Sequence, residues 1–197
     1  MEFDEIYEEF QPKILNYLAR LVGPNEAEDM AQVVFARVSR GLGSFKGQSK
    51  LSTWVYRIAT NTAIDKLRSP AHSLESGRSS LEESAAVANN TPTIPPADTP
   101  TDQKVIRKEM SECVREYVDR LPPEHRTVLV LSELEEFKNR EIADILQITL
   151  ENVKVRLHRA KARLKQELDE GCDFYHTEEG TLACDRKPIH IKSKKPD

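Results

Sequence analysis

An interrupted helical pattern between Phe137 and Lys165 constrains the fold of this chain more than any other feature. Ile142 and Ala143 lie four and three residues before Leu146, as one face of a short helix requires. After three intervening residues a longer apolar row follows at helical spacing. Its members are Leu150, Val153, Leu157, Ala160 and Leu164. The pattern predicts two helices that share a core across a tight turn, which is the layout of a helix-turn-helix.

The second of these helices has a defined start and a cationic outer face. Thr149 can accept a backbone N–H bond as the N-cap residue, and Glu151 suits the positive end of the helix dipole. Basic residues late in a helix can simply complement its dipole and stay solvated. The turn, the short preceding helix and the polar Asn152 near the helix start favour nucleic-acid binding instead. The cationic set is Lys154, Arg156, His158, Arg159, Lys161, Arg163 and Lys165.

We predict that this helix-turn-helix, residues 138–157 and onward, reads DNA. Arg156 and Arg159 can pair with guanine edges, and Asn152 can pair with adenine. The lysines of the same face suit phosphate oxygens. The predicted contact residues are Thr149, Glu151, Asn152, Lys154, Arg156, His158, Arg159, Lys161 and Arg163.

Residues 1–68 predict three further helices. The first has apolar residues every three or four positions from Phe3 to Leu21 and ends at a Gly-Pro pair. The second begins with Asn25 and Glu28 as a capping pair and ends at glycines. A polar, glycine-containing loop then precedes a third helix that reaches about residue 67. The apolar stripe predicted for that helix is Leu51, Val55, Ile58 and Thr62.

Trp54 in the third helix allows two interpretations. Its ring could stack on an unpaired base, whereas a single Trp flanked by aliphatic residues on a helix more often packs in a core. We favour the core, because Ile58 lies one helical turn away from the ring.

The composition changes between residues 69 and 101, where five prolines stand among serines, alanines and asparagines. Such a segment cannot bury enough apolar surface to offset the entropy of ordering it, so we predict a flexible linker. A second module follows at 102–168, with one helix that stops at Pro122 and another from Glu124 to about Leu134. No strand pattern is evident. The predicted fold is all-α, with two small helical domains at 1–68 and 102–168.

Three cysteines are too few and too scattered for a disulfide framework, which favours a reducing compartment. Cys113 falls on the apolar face of a helix, so we assign it to the core. Cys172, His176 and Cys184, in the tail at 169–197, form a C-x3-H-x7-C pattern whose soft ligands could hold zinc or copper. Incidental cysteines in a partly ordered extension are the alternative, since the spacing matches no strong zinc signature.

The net charge of −4 argues against a protein whose whole surface clings to nucleic acid, so DNA affinity must come from a local basic face. The chain has neither a signal peptide nor an apolar run near 18 residues. We therefore expect no export and no membrane insertion, and a cytoplasmic protein.

Three segments together resemble the extracytoplasmic-function (ECF) group of sigma-70-type sigma factors. Residues 27–35 (AEDMAQVVF) and 45–68 (FKGQSKLSTWVYRIATNTAIDKLR) are similar to that family's region 2. Residues 121–146 (LPPEHRTVLVLSELEEFKNREIADIL), followed by the cationic helix, are similar to its region 4. Either region alone would be moderate evidence, because helix-turn-helices are widespread, but both regions in this order across a linker make a specific signal.

The resemblance implies a bacterial protein with two DNA contacts on RNA polymerase. Region 2 would dock on the clamp through Asp29, Gln32 and Phe35 and open the minus-10 element. Region 4 would bind the minus-35 element and the β-subunit flap. An anti-sigma factor would occlude these surfaces, and neither enzymatic activity nor a required cofactor is implied. The implied minus-10 contacts are Lys46, Ser49, Lys50, Thr53, Arg57, Asn61, Lys66 and Arg68.

Four residues depart from the family pattern. Gln147 and Glu136 stand where glycines are usual, Lys138 where a capping Ser or Thr is usual, and Val33 where an acid is usual. A left-handed backbone at Gln147 would cost on the order of 1 kcal/mol.

The alternative function is a helix-turn-helix regulator that binds an operator without engaging polymerase.

Overall fold

The computed structural model describes residues 2–68, 101–177 and 180–187, and the linker predicted at 69–101 falls outside these ranges apart from its last residue. The described ranges are helical except for one short hairpin, so the predicted all-α class is confirmed with that addition. The helices are α1 (Phe3–Val22), α2 (Pro24–Leu42), α3 (Leu51–Arg68), α4 (Thr101–Asp119), α5 (Pro123–Glu133), α6 (Asn139–Leu146) and α7 (Leu150–Gly171). The strands are β1 (Cys172–His176) and β2 (Leu182–Arg186).

The chain folds as two compact units. Among the described residues, the first unit holds 2–68 and 122–159, and the second holds 101–121 and 160–187. Helix α7 therefore contributes its first ten residues to the first unit and the rest to the second. The two units are defined by packing. The domain boundaries at 1–68 and 102–168 follow the order of the sequence motifs, and they remain a prediction.

In the first unit, α1 and α2 bury the faces that the sequence predicts. Helix α2 starts two residues earlier than expected, at Pro24, so Asn25 lies inside the first turn and is not the cap. Proline is favoured at this position because its ring fixes φ and the missing N–H needs no partner there. The core residues include Ile6, Phe10, Ile14, Tyr17, Leu21, Ala27, Met30, Ala31, Val34, Phe35 and Val38.

The predicted stripe of α3 is only half right. Val55 and Thr62 are buried, but Leu51 and Ile58 are only partly covered. The buried face instead carries side chains with hydroxyl groups. These are Thr53, Tyr56, Thr60 and Thr62, with Ala59 and Ala63 between them.

Three of these hydroxyls, those of Tyr56, Thr60 and Thr62, have hydrogen-bond partners inside the first unit. Thr60 Oγ1 lies 2.7 Å from the Tyr17 hydroxyl and donates to the Tyr56 carbonyl at 2.7 Å. Arg37 donates to Thr62 Oγ1 at 2.9 Å. Polar helix faces of this kind give no apolar periodicity, so a search for apolar spacing misplaces the buried side.

The second unit has a small core, in which the side chains of Cys113, Tyr117 and Cys172 are buried against Leu164 and Leu168. The two strands pair antiparallel, with Cys172 opposite Arg186 and Phe174 opposite Cys184. The sequence predicted no strands in the tail, and this prediction was wrong. Five-residue strands with mixed side chains carry too little alternation to be recognised by period.

In the ranges that the structure describes, every helix is too short or too polar to cross a lipid bilayer.

Candidate nucleic-acid interface

The helix-turn-helix forms where the sequence predicts it, at α6 and the start of α7. Ile142 and Ile145 are fully buried on the inner face of α6. Ile145 was not part of the predicted row. Gln147 closes α6 in the left-handed region, with φ 55° and ψ 42°, and its N–H bonds to the Ala143 carbonyl. Glu136 has a φ of 57°, so both residues that replace family glycines adopt the backbone that favours glycine.

Both helices of the motif have polar groups at their starts. Thr149 Oγ1 accepts the backbone N–H of Asn152 at 3.2 Å, which confirms Thr149 as the N-cap of α7. At the start of α6, the Glu141 carboxylate accepts the backbone N–H of Lys138 at 3.0 Å. Lys138 has no side-chain acceptor, so this cap has half of the usual reciprocal pair.

The outer face of α7 is exposed, and its inner face is covered at Val153 and Ala160. Arg156 differs from the other predicted contacts, because it is about one-third exposed and pairs with Glu124 at 3.3 Å. Arg163 pairs with Glu167 at 3.8 Å along the same helix. The predicted contacts that are exposed are Thr149, Glu151, Asn152, Lys154, His158, Arg159, Lys161 and Arg163.

The predicted minus-10 residues lie on α3 and the loop before it, with uneven exposure. Lys46, Lys50, Asn61 and Arg68 are exposed, and Ser49, Arg57 and Lys66 are partly buried. Thr53 is only 2% exposed, so this structure does not present its side chain to a ligand.

Basic side chains of this surface are engaged by acids of the same unit. The ammonium of Lys50 lies 2.7 Å from a carboxylate oxygen of Glu141 on α6, and that of Lys66 lies 3.4 Å from Glu26. The hydrogen bond from Lys50 lowers the pKa of the Glu141 carboxyl below its ordinary value. The Arg57 Nε atom is buried and meets no acceptor among the described residues. The α3 surface thus contacts the first helix of the helix-turn-helix.

Glu135, in the segment between α5 and α6, is the centre of that contact. Its carboxylate accepts the Tyr56 hydroxyl at 2.6 Å and the Arg20 guanidinium at 2.9 Å. Burial and the neighbouring Glu135 charge raise the pKa of Tyr56. Phe137 packs edge-on against the Tyr56 ring at 4.7 Å, and Arg126 donates to a carbonyl of α1 at 3.0 Å.

Trp54 is half-buried and lies against Phe45, with ring centroids 5.1 Å apart. Gly41 is close enough that a Cβ atom there would lie 3.0 Å from the indole ring. Trp54 therefore packs against Phe45 but is not fully buried in the core as predicted, and Gly41 is needed because the ring approaches the α2 backbone.

A groove of about 380 Å³ runs between α1 and α2, and Tyr7, Gln32 and Phe35 are among its lining residues. Asp29 and Gln32 are exposed one turn apart on α2. Phe35, the third residue expected to contact polymerase, is 3% exposed and packs under Tyr7 at 4.8 Å. Tyr7 is exposed, and the sequence reasoning did not select it.

The tail brings together a different ligand set from the predicted one. The sulfur atoms of Cys172 and Cys184 lie with that of Cys113 in a group that spans no more than 4.8 Å. His176 is exposed and is not in the group. Cys113 is buried as predicted, yet its thiol faces two others.

Comparisons with known proteins agree with this architecture. The Sigma-70 region 2 family matches residues 6–72, and the family described as Sigma-70, region 4 matches residues 111–164. The chain is 35% identical to the ECF RNA polymerase sigma factor SigW of Bacillus subtilis over 173 residues, which is 84% of this chain and 88% of that protein. It is 33% identical to the RNA polymerase sigma factor YlaC of the same species, covering 84% and 91%.

A two-domain helical protein with these two regions is a sigma factor, which directs transcription initiation at promoters. The chain belongs to the extracytoplasmic-function group of the sigma-70 family. The fold is also that of the sigma factor RpoE in its complex with the anti-sigma factor NepR from Bartonella quintana. That structure aligns with a TM-score of 0.63 and 20% identity over 85% of this chain and 96% of that chain.

Proposed function

We propose that the outer face of α7 reads the minus-35 element and that α3 with its preceding loop grips the minus-10 element. The observation that carries this assignment is the exposed cationic face of α7, which begins at a capped N-terminus and is backed by a buried inner face. Asn152 is exposed on the first turn of α7, where a helix lying in the major groove contacts base edges, and Arg159 is exposed two turns further along the helix.

The α3 surface suits a single strand better than a duplex. Lys46 and Lys50 flank a polar loop that can pocket an extruded base, while Arg57, Lys66 and Arg68 follow along the helix to hold phosphates. Thr53 joins this surface only if the loop rearranges, because its side chain is buried here.

The groove between α1 and α2 is the proposed polymerase-binding site. It combines the ring of Tyr7, which is 44% exposed, with the polar Gln32 in its lining, and the exposed Asp29 lies one turn from Gln32 on α2, outside the lining. An amphipathic groove of this kind accepts a helical element with a basic flank. The clamp of the largest polymerase subunit is the expected occupant, and the β-subunit flap would contact the helix-turn-helix unit.

Promoter binding requires the two DNA surfaces to separate. Lys50 of the proposed minus-10 surface lies 2.7 Å from Glu141 on α6, the helix that precedes the minus-35 reading helix. The minus-10 and minus-35 elements are about 25 base pairs apart, which is roughly 85 Å along B-DNA. We infer that the contacts around Glu135 hold the chain in a closed state and that polymerase binding opens it.

We infer that the protein acts in the bacterial cytoplasm, where polymerase and chromosomal DNA meet, and performs no bond chemistry. Promoter recognition by differential DNA binding needs no cofactor. An anti-sigma factor is a further proposed partner, since two solved structures of this fold, CnrH with CnrY and RpoE with NepR, contain a second protein.

Reconstituted initiation tests the proposal. The chain is added to bacterial core polymerase, and transcripts are mapped from fragments of a bacterial genome. We expect defined start sites that require the added chain. A regulator that binds an operator without polymerase would give a footprint on DNA and no new start site.

The polymerase surface is tested separately by pull-down of core polymerase. Asp29→Ala with Gln32→Ala should weaken the complex and lower specific transcript in proportion. Asp4→Ala with Gln166→Ala removes the same two side-chain types elsewhere on exposed helix positions and should change neither. Equal loss in both pairs would reject the groove as the docking site.

A further inference from the structure

Three cysteine thiols from separate elements converge in the second unit. Cys113 comes from α4, Cys172 from β1 and Cys184 from β2, and their sulfur atoms all lie within 4.8 Å of one another. The sulfurs of Cys113 and Cys172 are 3.9 Å apart. Cys113 and Cys172 are buried, and Cys184 is partly exposed, so the cluster is closed on one side and open to entry on the other.

The separation of the Cys113 and Cys172 sulfurs fits a shared metal ion, and Cys184 lies within 4.8 Å of both. A zinc–sulfur bond of about 2.3 Å places thiolates roughly 3.8 Å apart in a tetrahedral site and roughly 4.0 Å apart in a trigonal one. The 3.9 Å between Cys113 and Cys172 falls between these values. We propose that Cys113, Cys172 and Cys184 form a three-thiolate site for a thiophilic closed-shell cation, Zn²⁺ or Cu⁺.

The surroundings supply groups that a thiolate site needs. The Tyr117 hydroxyl lies 3.5 Å from the Cys172 sulfur and can turn to donate to a metal-bound thiolate. Arg186 is held by Glu116 at 2.7 Å and acts electrostatically on Cys113. Three thiolates carry one net negative charge around Zn²⁺ and two around Cu⁺, and the Arg186 guanidinium, although Glu116 pairs with it, is the nearby cation that acts on this charge.

The geometry also excludes His176, the other candidate ligand on β1, from the metal site. His176 lies four residues beyond Cys172 on an extended strand, which is about 13 Å along the chain. Its side chain is exposed. Cys113, distant in sequence, therefore replaces the histidine that the local C-x3-H pattern suggests.

The site would fix one end of α7. Cys172 directly follows the last residue of that helix, and Gly171 lies so close to the Tyr117 ring that a Cβ atom there would clash. Metal binding would join α4 to both strands at this point and stabilise the second unit. This inference does not depend on which DNA bases or polymerase surfaces the first unit contacts.

Metal titration of the full chain tests the site. The protein is purified under reducing, chelator-washed conditions, and Zn²⁺ and Cu⁺ are titrated separately against a competing chromogenic chelator. We expect one ion per chain, a rise in thermal midpoint, and three sulfur neighbours in the X-ray absorption spectrum of the native protein. Each of C113S, C172S and C184S should weaken binding at least roughly tenfold, whereas H176A should bind within about twofold of the native chain.

The controls separate the alternatives. If C113S loses helical circular dichroism, its loss of metal binding could come from misfolding. The metal affinity of C184S, whose position is partly exposed, and the X-ray absorption spectrum of the native protein then decide whether the cysteines bind the ion. Loss of binding in H176A with retention in C113S would overturn the assignment. So would failure to bind either ion combined with a loss of two hydrogen masses under a mild disulfide oxidant, which would make the cluster a redox dithiol.

Discussion

The two proposed DNA surfaces differ in how far the protein's own side chains occupy them. On α7 the contacts are mostly exposed, although Arg156 pairs with Glu124 and Arg163 pairs with Glu167. On the α3 surface, Lys50 pairs with Glu141 and Lys66 pairs with Glu26. A helix that reads duplex DNA can be presented ready-made, whereas a surface for strand-separated DNA is partly closed until it is needed.

In the proposed opening of the first unit, the contact that must break is centred on Glu135. This carboxylate joins α1, α3 and the approach to the helix-turn-helix through the Arg20 guanidinium and the Tyr56 hydroxyl. Its side chain is 10% exposed, so the bonds are shielded from water and salt. The closed arrangement therefore rests on one buried acceptor more than on the exposed Lys50 pair.

Replacement of that acceptor should have the largest effect. Glu135→Gln leaves the Arg20 charge without its counterion, and we expect the free energy of unfolding to fall by about 2 kcal/mol. Urea denaturation measures the change. The same chain, without polymerase, should also bind a single-stranded minus-10 oligonucleotide more tightly.

Glu136→Gln is the matched control, because it removes the neighbouring carboxylate from an exposed position. It should stay within about 0.5 kcal/mol of the native chain. Equal destabilisation by the two variants would show that Glu135 is not a junction.

Removal of the Arg156 side chain should reduce the base-pair preference of the α7 surface. Arg156→Ala should remove roughly 1 to 3 kcal/mol of preference at one base pair. Lys161→Ala should weaken binding on all sequences and reduce the salt slope by about 1. Competition between promoter fragments with single base changes in the minus-35 element separates the two outcomes. Equal losses on every sequence for both variants would contradict the assignment of Arg156 to a base edge.

The Lys50 and Glu141 pair should contribute less. A double-mutant cycle with Lys50→Met and Glu141→Gln, where Gln keeps the acceptor for Lys138, should give a coupling of about 0.5 to 1 kcal/mol at low salt. The folded pKa of Glu141 is lowered, so this stabilisation is present above the unfolded pKa and disappears as pH falls through the folded value. A coupling of zero at low salt and neutral pH would remove the pair from the closed contact.

The turn between α6 and α7 should respond least. Gln147→Gly relieves a left-handed backbone and should stabilise the chain by about 0.5 kcal/mol after the entropy of glycine is counted. Gln166→Gly makes the same change inside α7 and should destabilise it by about 1 kcal/mol. Thermal unfolding of both variants gives the signs, and a loss in the first would mean that the Gln147 side chain makes a contact of its own.

The sequence predicts the helix-turn-helix well because local rules determine it. Thr149 caps α7, Val153 and Ala160 face inward, and Gln147 takes the left-handed backbone expected at a family glycine. The face of α3 was less predictable, since Tyr56 and Thr60 are buried through hydroxyl partners on other elements. The spacing of apolar residues along the sequence carries no information about such hydrogen bonds.

The cysteine cluster shows the same limit at long range. Cys172 and Cys184 could be paired from their spacing, but Cys113 joins them only because α4 packs beside the hairpin. Nothing in the local pattern around Cys113 distinguishes a ligand from a core residue. The hairpin itself was missed, and without it His176 looked closer to the cluster than it is.

A distance measured across the closed contact tests the central claim most directly. Spin labels introduced as unnatural amino acids at Ser49 and Arg140 flank the Lys50 and Glu141 pair without using the native cysteines. In the chain alone the labels should lie within about 25 Å, given one residue of about 3.8 Å and a label arm on each side. With core polymerase and promoter DNA they should separate beyond about 50 Å, as the spacing of the two elements requires. An unchanged short distance in a complex that starts transcripts would contradict the account.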